Sequence, residues 1–317
     1  MHLRDSMQET TMSRISVIMP VYNAQAALQR AVNSIIAQSL QDWELLIIND
    51  GSTDDSDRIC DDYAKKDARI RVFHQENKGV AMARQLGVEQ ARGEYSIHVD
   101  ADDWVEPTML EEMFQKAIEE DVDIVIADFF STNAHEERIV KQQPSSLLPE
   151  EVLRDLFRGK IFGGLCHKLV RHSLYEKYHA CFFAGINYCE DVLIWAQLLQ
   201  HKDIKMAYLS KAYYHYVMNP SSITHAYTRS TYEMRKRFQK KLIEVLPQNG
   251  YEQETANSAF GIFVEAFIYD VLKKEEIKEG LKSFQQQICA LDSTRWKIGF
   301  SLLHWGFCSL AHIFIKF

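Results

Sequence analysis

Apolar positions in the first hundred residues follow two alternating rhythms. Near-continuous apolar runs, "ISVIMPV" (Ile15 to Val21) and "WELLIIND" (Trp43 to Asp50), have the character of strands buried on both faces. Between them, "NAQAALQRAVNSIIAQSL" places Leu28, Val32, Ile35 and Ile36 on one side of a 3.6-residue period, which predicts a helix. After the second run, "GSTDDSDRICDDYAKK" supplies Gly51 for a turn and Ser, Thr and Asp side chains to cap the next helix. "IRVFHQ" (Ile70 to Gln75), the helical "VAMARQLGVEQAR" and "EYSIHVD" (Glu94 to Asp100) continue the alternation. Strands separated by helices rather than tight turns predict an α/β fold with a mostly parallel sheet.

In open sheets of this kind, ligands collect beyond the carboxyl ends of the strands. The polar residues of this chain fall there: Pro20-Val21-Tyr22-Asn23, Asn49-Asp50-Gly51-Ser52, Asn77-Lys78-Gly79 and Asp100-Ala101-Asp102-Asp103. No GxGxxG follows the first strand, so the dinucleotide-binding fingerprint is absent.

The fourth of these ends carries three carboxylates within four residues. In an extended segment Asp100 and Asp102 project to one side and Asp103 to the other. Two like charges sharing a space repel unless a cation lies between them, and hard oxygen donors suit Mg²⁺ or Mn²⁺. A metal–diphosphate holder is one reading of the stretch. The other is a solvated turn in which Asp102 or Asp103 caps the helix that begins near Pro107. A second acidic pair, Glu190-Asp191, precedes the helical pattern "VLIWAQLL". By position alone it is equally a partner for the helix macrodipole.

Composition narrows the class. A chain of 317 residues with 46% hydrophobic content has enough apolar side chains for a full core, and its net charge of −8 without a basic run argues against nucleic acid as a partner. Six cysteines without a CxxC pair fit a reducing, cytoplasmic setting. The polar start "MHLRDSMQETTMSR" lacks the apolar stretch of an export signal and reads as a flexible leader.

Taken together, "VIMPVYNAQAALQRAVNSIIAQSLQDWELLIINDGSTDDS", "ENKGVAMARQLGVEQARGEYSIHVDADDW" and "YCEDVLIWAQLL" closely resemble the family 2 glycosyltransferases of the GT-A fold, over about Ile15 to Thr224. The resemblance implies a Rossmann-like catalytic domain at 15–228, with a nucleotide-sugar half at 15–105 and an acceptor half at 106–228. It implies that Pro20, Tyr22 and Asp50 embrace the nucleotide base, and that Asn77, Gly79 and Arg84 add donor contacts beside Asp100 and Ala101. It places the metal on Asp100 and Asp102, Asp102 being the direct ligand, and makes Asp191 the general base with Glu190 assisting. Gln85 stands where the family commonly has Asn, and His215 and Val217 stand where relatives often carry Arg. His215, His225 or Arg229 would then close over the diphosphate, with His225 a further metal ligand. "GGLCHKLVR" with Lys168 resembles the stretch leading into the acceptor region; by pattern alone it is a turn and a short strand.

From about Ser230 the pattern becomes helical, and 229–317 reads as a helical extension ending in one amphipathic helix at 296–316. "IGFSLLHWGFCSLAHIFI" has no charged residue, and Ser301, His304, Cys308 and His312 lie on one face with Phe300, Leu303, Phe307, Leu310 and Phe314 on another. Such a helix lies on a membrane surface or packs on its own protein. The implied activity is inverting transfer of a hexose or N-acetylhexosamine from a nucleotide-sugar donor, UDP-linked, to a lipid-linked or surface glycan acceptor, with Mn²⁺ or Mg²⁺ as cofactor and peripheral contact with the inner face of a membrane. The alternatives are a catalytically silent nucleotide- or glycan-binding relative and a Mg²⁺-dependent phosphotransferase.

Overall fold

The two long apolar runs form adjacent interior strands of one sheet, nine-stranded among the described residues, and both are buried because helices cover both of its faces. The structure is a computed structural model and describes residues 13–133, 136–218, 227–247 and 250–316. Strand β1 (Ile15–Val21) leads through α1 (Leu28–Ile36) to β2 (Trp43–Asp50), then through α2 (Ser56–Lys66) to β3 (Ile70–Gln75) and through α3 (Val80–Gln90) to β4 (Tyr95–His98). All three pairings among these strands are parallel, with Ile15 opposite both Trp43 and Tyr95, and Leu45 opposite Ile70.

The chain continues through β5 (Trp104–Val105), α4 (Met109–Glu119), β6 (Ile124–Thr132), β7 (Glu137–Val140), α5 (Pro149–Phe157), β8 (Lys168–Arg171), α6 (Ser173–Lys177), α7 (Glu190–Leu198) and β9 (Met206–Val217). Strand order is β3-β2-β1-β4-β8-β6-β9-β5, with β7 paired to β6. The "KLVR" stretch is the short strand β8, and it lies antiparallel to both β4 and β6, joining the parallel half to the rest.

Period-two alternation divides the sheet into two cores. Val17, Met19, Leu45 and Ile47 face α1 and α4, whereas Ile18, Leu46 and Ile48 face α3 and α7. A buried polar knot ties the N-terminal edge: Glu44 accepts from Ser16 Oγ (2.7 Å), the Arg92 amide (2.7 Å) and Arg71 Nη1 (2.9 Å). It joins β1, β2 and the loop after α3, so the strand ends that follow are held in mutual register.

Beyond β9 the described residues form α8 (Arg229–Val245), α9 (Glu252–Ile268), α10 (Lys274–Ser283), α11 (Gln285–Cys289), α12 (Thr294–His304) and α13 (Cys308–Lys316). Tyr232, Phe238 and Leu242 of α8 and Ile262 and Ala266 of α9 belong to the same core as α7. The opposite side of α9, with Phe260, Phe263 and Phe267, builds a separate cluster with Phe300, Leu303, Ala311 and Ile315. The single terminal helix expected at 296–316 is instead a hairpin. It breaks at Gly306, whose φ of 84° suits glycine, and Gly299 then lies against Phe314 and Ile315. That break also splits the expected apolar face: Phe300 and Leu303 are buried, Phe307 and Leu310 exposed. No helix among the described residues is long and apolar enough to cross a membrane.

Helix α3 crosses β1 where Gly87 meets Ile18, and a Cβ at residue 87 would overlap the Ile18 Cγ2 methyl. Gly87→Ala is expected to lower stability by about 1–3 kcal/mol through this overpacking. Denaturant unfolding measures it: the midpoint falls at constant slope, and an unchanged midpoint contradicts so close an approach.

Candidate active site

The loops after β1 and β2 are laced together, which opens a rim above the sheet. Asn23, held at φ 48°, accepts from the Thr53 amide at 2.8 Å and donates its own amide to Ser52 Oγ at 3.1 Å. Asn49 Oδ1 takes the Ser52 amide at 3.1 Å. With the backbone so engaged, Tyr22 stands out from the rim at 53% exposure, next to half-buried Pro20. Asp50 is buried and organises the third loop: its carboxylate accepts from Gln75 Nε2 (2.7 Å) and from the amides of Lys78 and Gly79 (2.8 Å each). Asn77 is exposed at the tip of that loop. Gly79, at φ 87°, begins α3, and a Cβ there would strike Asn187, whose Oδ1 accepts the Ala81 amide at 3.2 Å.

Strand β4 ends at His98, earlier than expected, and residues 100–103 form a turn closed by the Asp103 amide donating to the Asp100 carbonyl at 3.2 Å. The side-chain division foreseen for an extended segment survives in this turn, although its cause differs. Asp103 points into the protein, where Tyr214 Oη donates to it at 2.5 Å and the Val217 amide at 2.7 Å. Tyr214 Oη also accepts the Asp100 amide at 3.1 Å, so one phenol on β9 clamps both ends of the turn. Burial, then the charges of Asp100 and Asp102, hold Asp103 well above the ordinary carboxylate range. Neither Asp102 nor Asp103 caps α4, whose N-cap is Thr108.

Asp100 and Asp102 remain on the rim, with Ala101 buried between them. Asp100 Oδ1 accepts from Arg84 Nη2 at 2.8 Å. Arg30 of α1 donates to the Asp102 backbone carbonyl at 2.7 Å. Burial and the charge of Asp100 raise the Asp102 pKa. These two carboxylates fit a hard divalent cation, which binds through one or two protein carboxylates and fills its shell with water and phosphate oxygens. No group of three His, Cys, Asp or Glu able to hold a metal occurs among the described residues, and His225 lies outside them.

Arg84 is the bridge to the second acidic pair. Its Nε lies 3.4 Å from Glu190 Oε1, and the side chain is 9% exposed. Burial alone would lower the guanidinium pKa, but Asp100, Glu190 and Asp191 together raise it. Its Nη1 is buried without a hydrogen-bond partner among the described residues. Glu190 and Asp191 open α7 directly after Cys189, which takes the left-handed conformation at φ 61°, a strained geometry for a side chain with a Cβ. Burial and the neighbouring Asp191 push Glu190 up to about 7. Burial also raises Asp191, against the opposing effects of the Val192 amide, Arg84 and Lys168.

The wall beside Asp191 is built by Lys168, a buried ammonium that donates to the carbonyls of Phe162 and Gly164 at 2.7 Å each. Trp195 Nε1 donates to the Gly163 carbonyl at 2.6 Å. Burial lowers the Lys168 pKa to about 7.

The structure therefore gathers Asp50, Gly79, Arg84, Asp100, Asp102, Glu190 and Asp191 around connected loops. Two of the three residues proposed to close over the diphosphate have other roles. His215 is buried between the rings of Trp104 and Phe130, with Glu106 and Glu137 each 2.8 Å from a ring nitrogen. Arg229 is paired through two nitrogens to Glu276 at 2.6 and 2.8 Å in the C-terminal helices. The Asp103–Tyr214 clamp, Asn187 and the Lys168–Trp195 loop support were not legible as site elements. Lys168 stands in the "GGLCHKLVR" stretch, but nothing local pairs it or Tyr214 with their partners.

Residues 16–179, just over half of the chain, match the model of the family described as Glycosyl transferase family 2. The glycosyltransferase EpsH of Bacillus subtilis is 31% identical over 293 residues, which cover 89% of this chain and 77% of that protein. GlyA, a glycosyltransferase of Streptococcus pneumoniae, is 28% identical over 266 residues, 76% of this chain and 36% of its own length. Among solved structures, residues 1–349 of Staphylococcus aureus TarS, crystallised with UDP-GlcNAc, superpose with a TM-score of 0.69 at 19% identity, covering 96% of this chain and 89% of that one. The chain belongs to glycosyl transferase family 2. It is a glycosyltransferase with the GT-A fold and C-terminal helices.

Tyr214→Phe removes the donor to Asp103 and the acceptor for the Asp100 amide. It is expected to cost about 1–3 kcal/mol, the range for a buried polar group left unpaired. Thermal or denaturant unfolding checks this, and wild-type stability in the variant contradicts the clamp.

Proposed function

We propose that the protein transfers a sugar, a hexose or N-acetylhexosamine, from a UDP-sugar to a hydroxyl of a lipid-linked or surface glycan acceptor, with inversion at the anomeric carbon. One observation carries the reading: Arg84 joins Asp100, at the end suited to a metal and diphosphate, to Glu190, beside Asp191. A donor lying across Arg84 would present its leaving diphosphate to one acidic pair and its anomeric carbon to the other. The fold neighbour's complex with UDP-GlcNAc supports a uridine nucleotide as donor.

In this reading Tyr22 and Pro20 flank the base. Asp50 positions the Asn77–Gly79 loop and keeps lone-pair capacity for an imide N–H. Asp102 and Asp100 would hold a divalent cation, which would supply positive charge against that of the departing diphosphate. Asp191 accepts the proton of the acceptor hydroxyl as its oxygen attacks the anomeric carbon from the face opposite the leaving group. Glu190 orients Arg84. Lys168 and Trp195 hold the Phe162–Gly164 loop as a wall of the acceptor side. Single displacement by a base-activated hydroxyl gives a product of opposite anomeric configuration. A lipid-linked acceptor would bring the protein to a membrane surface.

Thermal unfolding with a panel of nucleotide sugars, with and without Mn²⁺, tests donor and metal, because a ligand that binds only the folded state raises its stability. A UDP-sugar is expected to raise the midpoint most with Mn²⁺ present, and Asp102→Ala to lose the Mn²⁺-dependent part. Asp191→Asn is expected to bind donor normally while transfer falls by about 10²–10⁴-fold. Full transfer by Asp191→Asn would remove the base assignment; indifference to every UDP-sugar would remove the donor.

A further inference from the structure

The C-terminal hairpin buries one side and leaves the other apolar. Phe300, Leu303, Ala311 and Ile315 fill the face against α9, yet Trp305, Phe307, Leu310 and Ile313 are 77%, 56%, 48% and 57% exposed. Trp305 and Phe307 flank Gly306 at the hairpin tip, and Leu310 and Ile313 sit three residues apart on α13. Beside the tip lies a cavity of about 570 Å³, floored by Ile277, Leu281 and Leu303. Lys274, Lys278 and Lys282 also line it, at a spacing of four that puts all three on one side of α10.

Charge is distributed unevenly in the same sense. Residues 272–317 contain seven Lys and Arg against four Asp and Glu, a net +3, while residues 1–271 carry −11. Residues 293–317 contain Arg295, Lys297 and Lys316 and no acid. A negatively charged surface would repel the body of the protein and attract this end, so the charge pattern itself would orient the molecule. Exposed Trp with aliphatic side chains, bordered by lysines, matches the headgroup boundary of a bilayer, where the apolar groups insert and the ammonium groups meet lipid phosphates. A second copy would answer the lysines only by offering a different, acidic surface. Such a head-to-tail contact does not close on itself in a dimer.

We propose that the α12–α13 tip and the Lys274–Lys278–Lys282 row form a docking surface for bilayers containing anionic phospholipid, with one lipid headgroup seated in the cavity. Docking rests on the membrane-facing part of the proposed function and is independent of the transfer chemistry. It takes Phe307 and Leu310 from the terminal face foreseen from the helical pattern, adds Trp305 and Ile313, and needs no membrane-spanning segment.

Sedimentation of the full chain with phosphatidylcholine vesicles, with and without phosphatidylglycerol, tests it. Binding is expected to require phosphatidylglycerol, to weaken as salt is raised, and to shift tryptophan fluorescence to the blue. The triple variant Lys274→Glu, Lys278→Glu, Lys282→Glu is expected to bind at least about tenfold more weakly. Trp305→Ser with Phe307→Ser is expected to lose both binding and the fluorescence shift. All five positions are outside the active site, so donor-induced thermal stabilisation is expected to match wild type in both variants, which separates a failure of docking from a failure of the enzyme. Equal binding to both vesicle types, or none to either, would overturn the proposal. A wild-type dimer that Trp305→Ser with Phe307→Ser dissociates, without any vesicle binding, would show the surface to be an interface between copies instead.

Discussion

One buried guanidinium sets the terms for this site. Arg84 is 9% exposed and lies 2.8 Å from Asp100 and 3.4 Å from Glu190, and its charge also acts on Asp102 and Asp191. Four carboxylates around one guanidinium cannot all stay ionised at low energetic cost when the region is partly removed from water. Burial first, and neighbouring negative charge second, raise Asp102 and Glu190, and burial raises Asp191 against the opposing charge of Arg84. A guanidinium suits the bridging role because it remains charged when buried and presents donors in several directions at once. The remaining negative charge is what a divalent cation and the binding of an acceptor would relieve.

The scaffold spends its most specific interactions on keeping these groups in place. Three parallel strand ends bring Tyr22, Asp50 and the acidic turn to one edge, and the lacing of Asn23 to Ser52 and Thr53 fixes the first two loops. The acidic turn is fastened from beneath by Tyr214, the third loop by Asp50, and the start of α3 by Asn187. On the opposite side, Cys189 bends backward so that Glu190 and Asp191 open α7. Because α8 and α9 share a core with α7, the C-terminal helices also bear on the position of that pair.

The first four strands were legible because parallel strands buried on both faces leave continuous apolar runs. The same physics hid the second half of the sheet. β6 and β9 depend on partners far away in sequence, and β8 is only four residues long. Among site residues, the acidic groups stood out because paired carboxylates after a strand need an explanation. Asp103 looked like their equal, yet its partners Tyr214 and Val217 lie 111 and 114 positions away, and no local pattern reveals that contact. His215 was a candidate for the diphosphate because it stands where relatives often carry Arg, whereas the structure stacks it between Trp104 and Phe130. The terminal helix misled because apolar residues run unbroken through Gly306, and an isolated glycine does not by itself end a helix.

The coupling of the two acidic pairs through Arg84 is open to direct measurement as the pH dependence of kcat at saturating donor, in wild type and in Arg84→Gln. Burial raises the pKa of the base, Asp191, above the ordinary carboxylate value, and a base must be ionised to act, so wild-type transfer is predicted to fall as pH drops through that raised pKa. Removing a cation that favours the ionised carboxylates must raise their pKa values, so the acid limb is predicted to move to higher pH in Arg84→Gln. An acid limb at the same pH in both proteins, or one displaced to lower pH in the variant, would contradict the account.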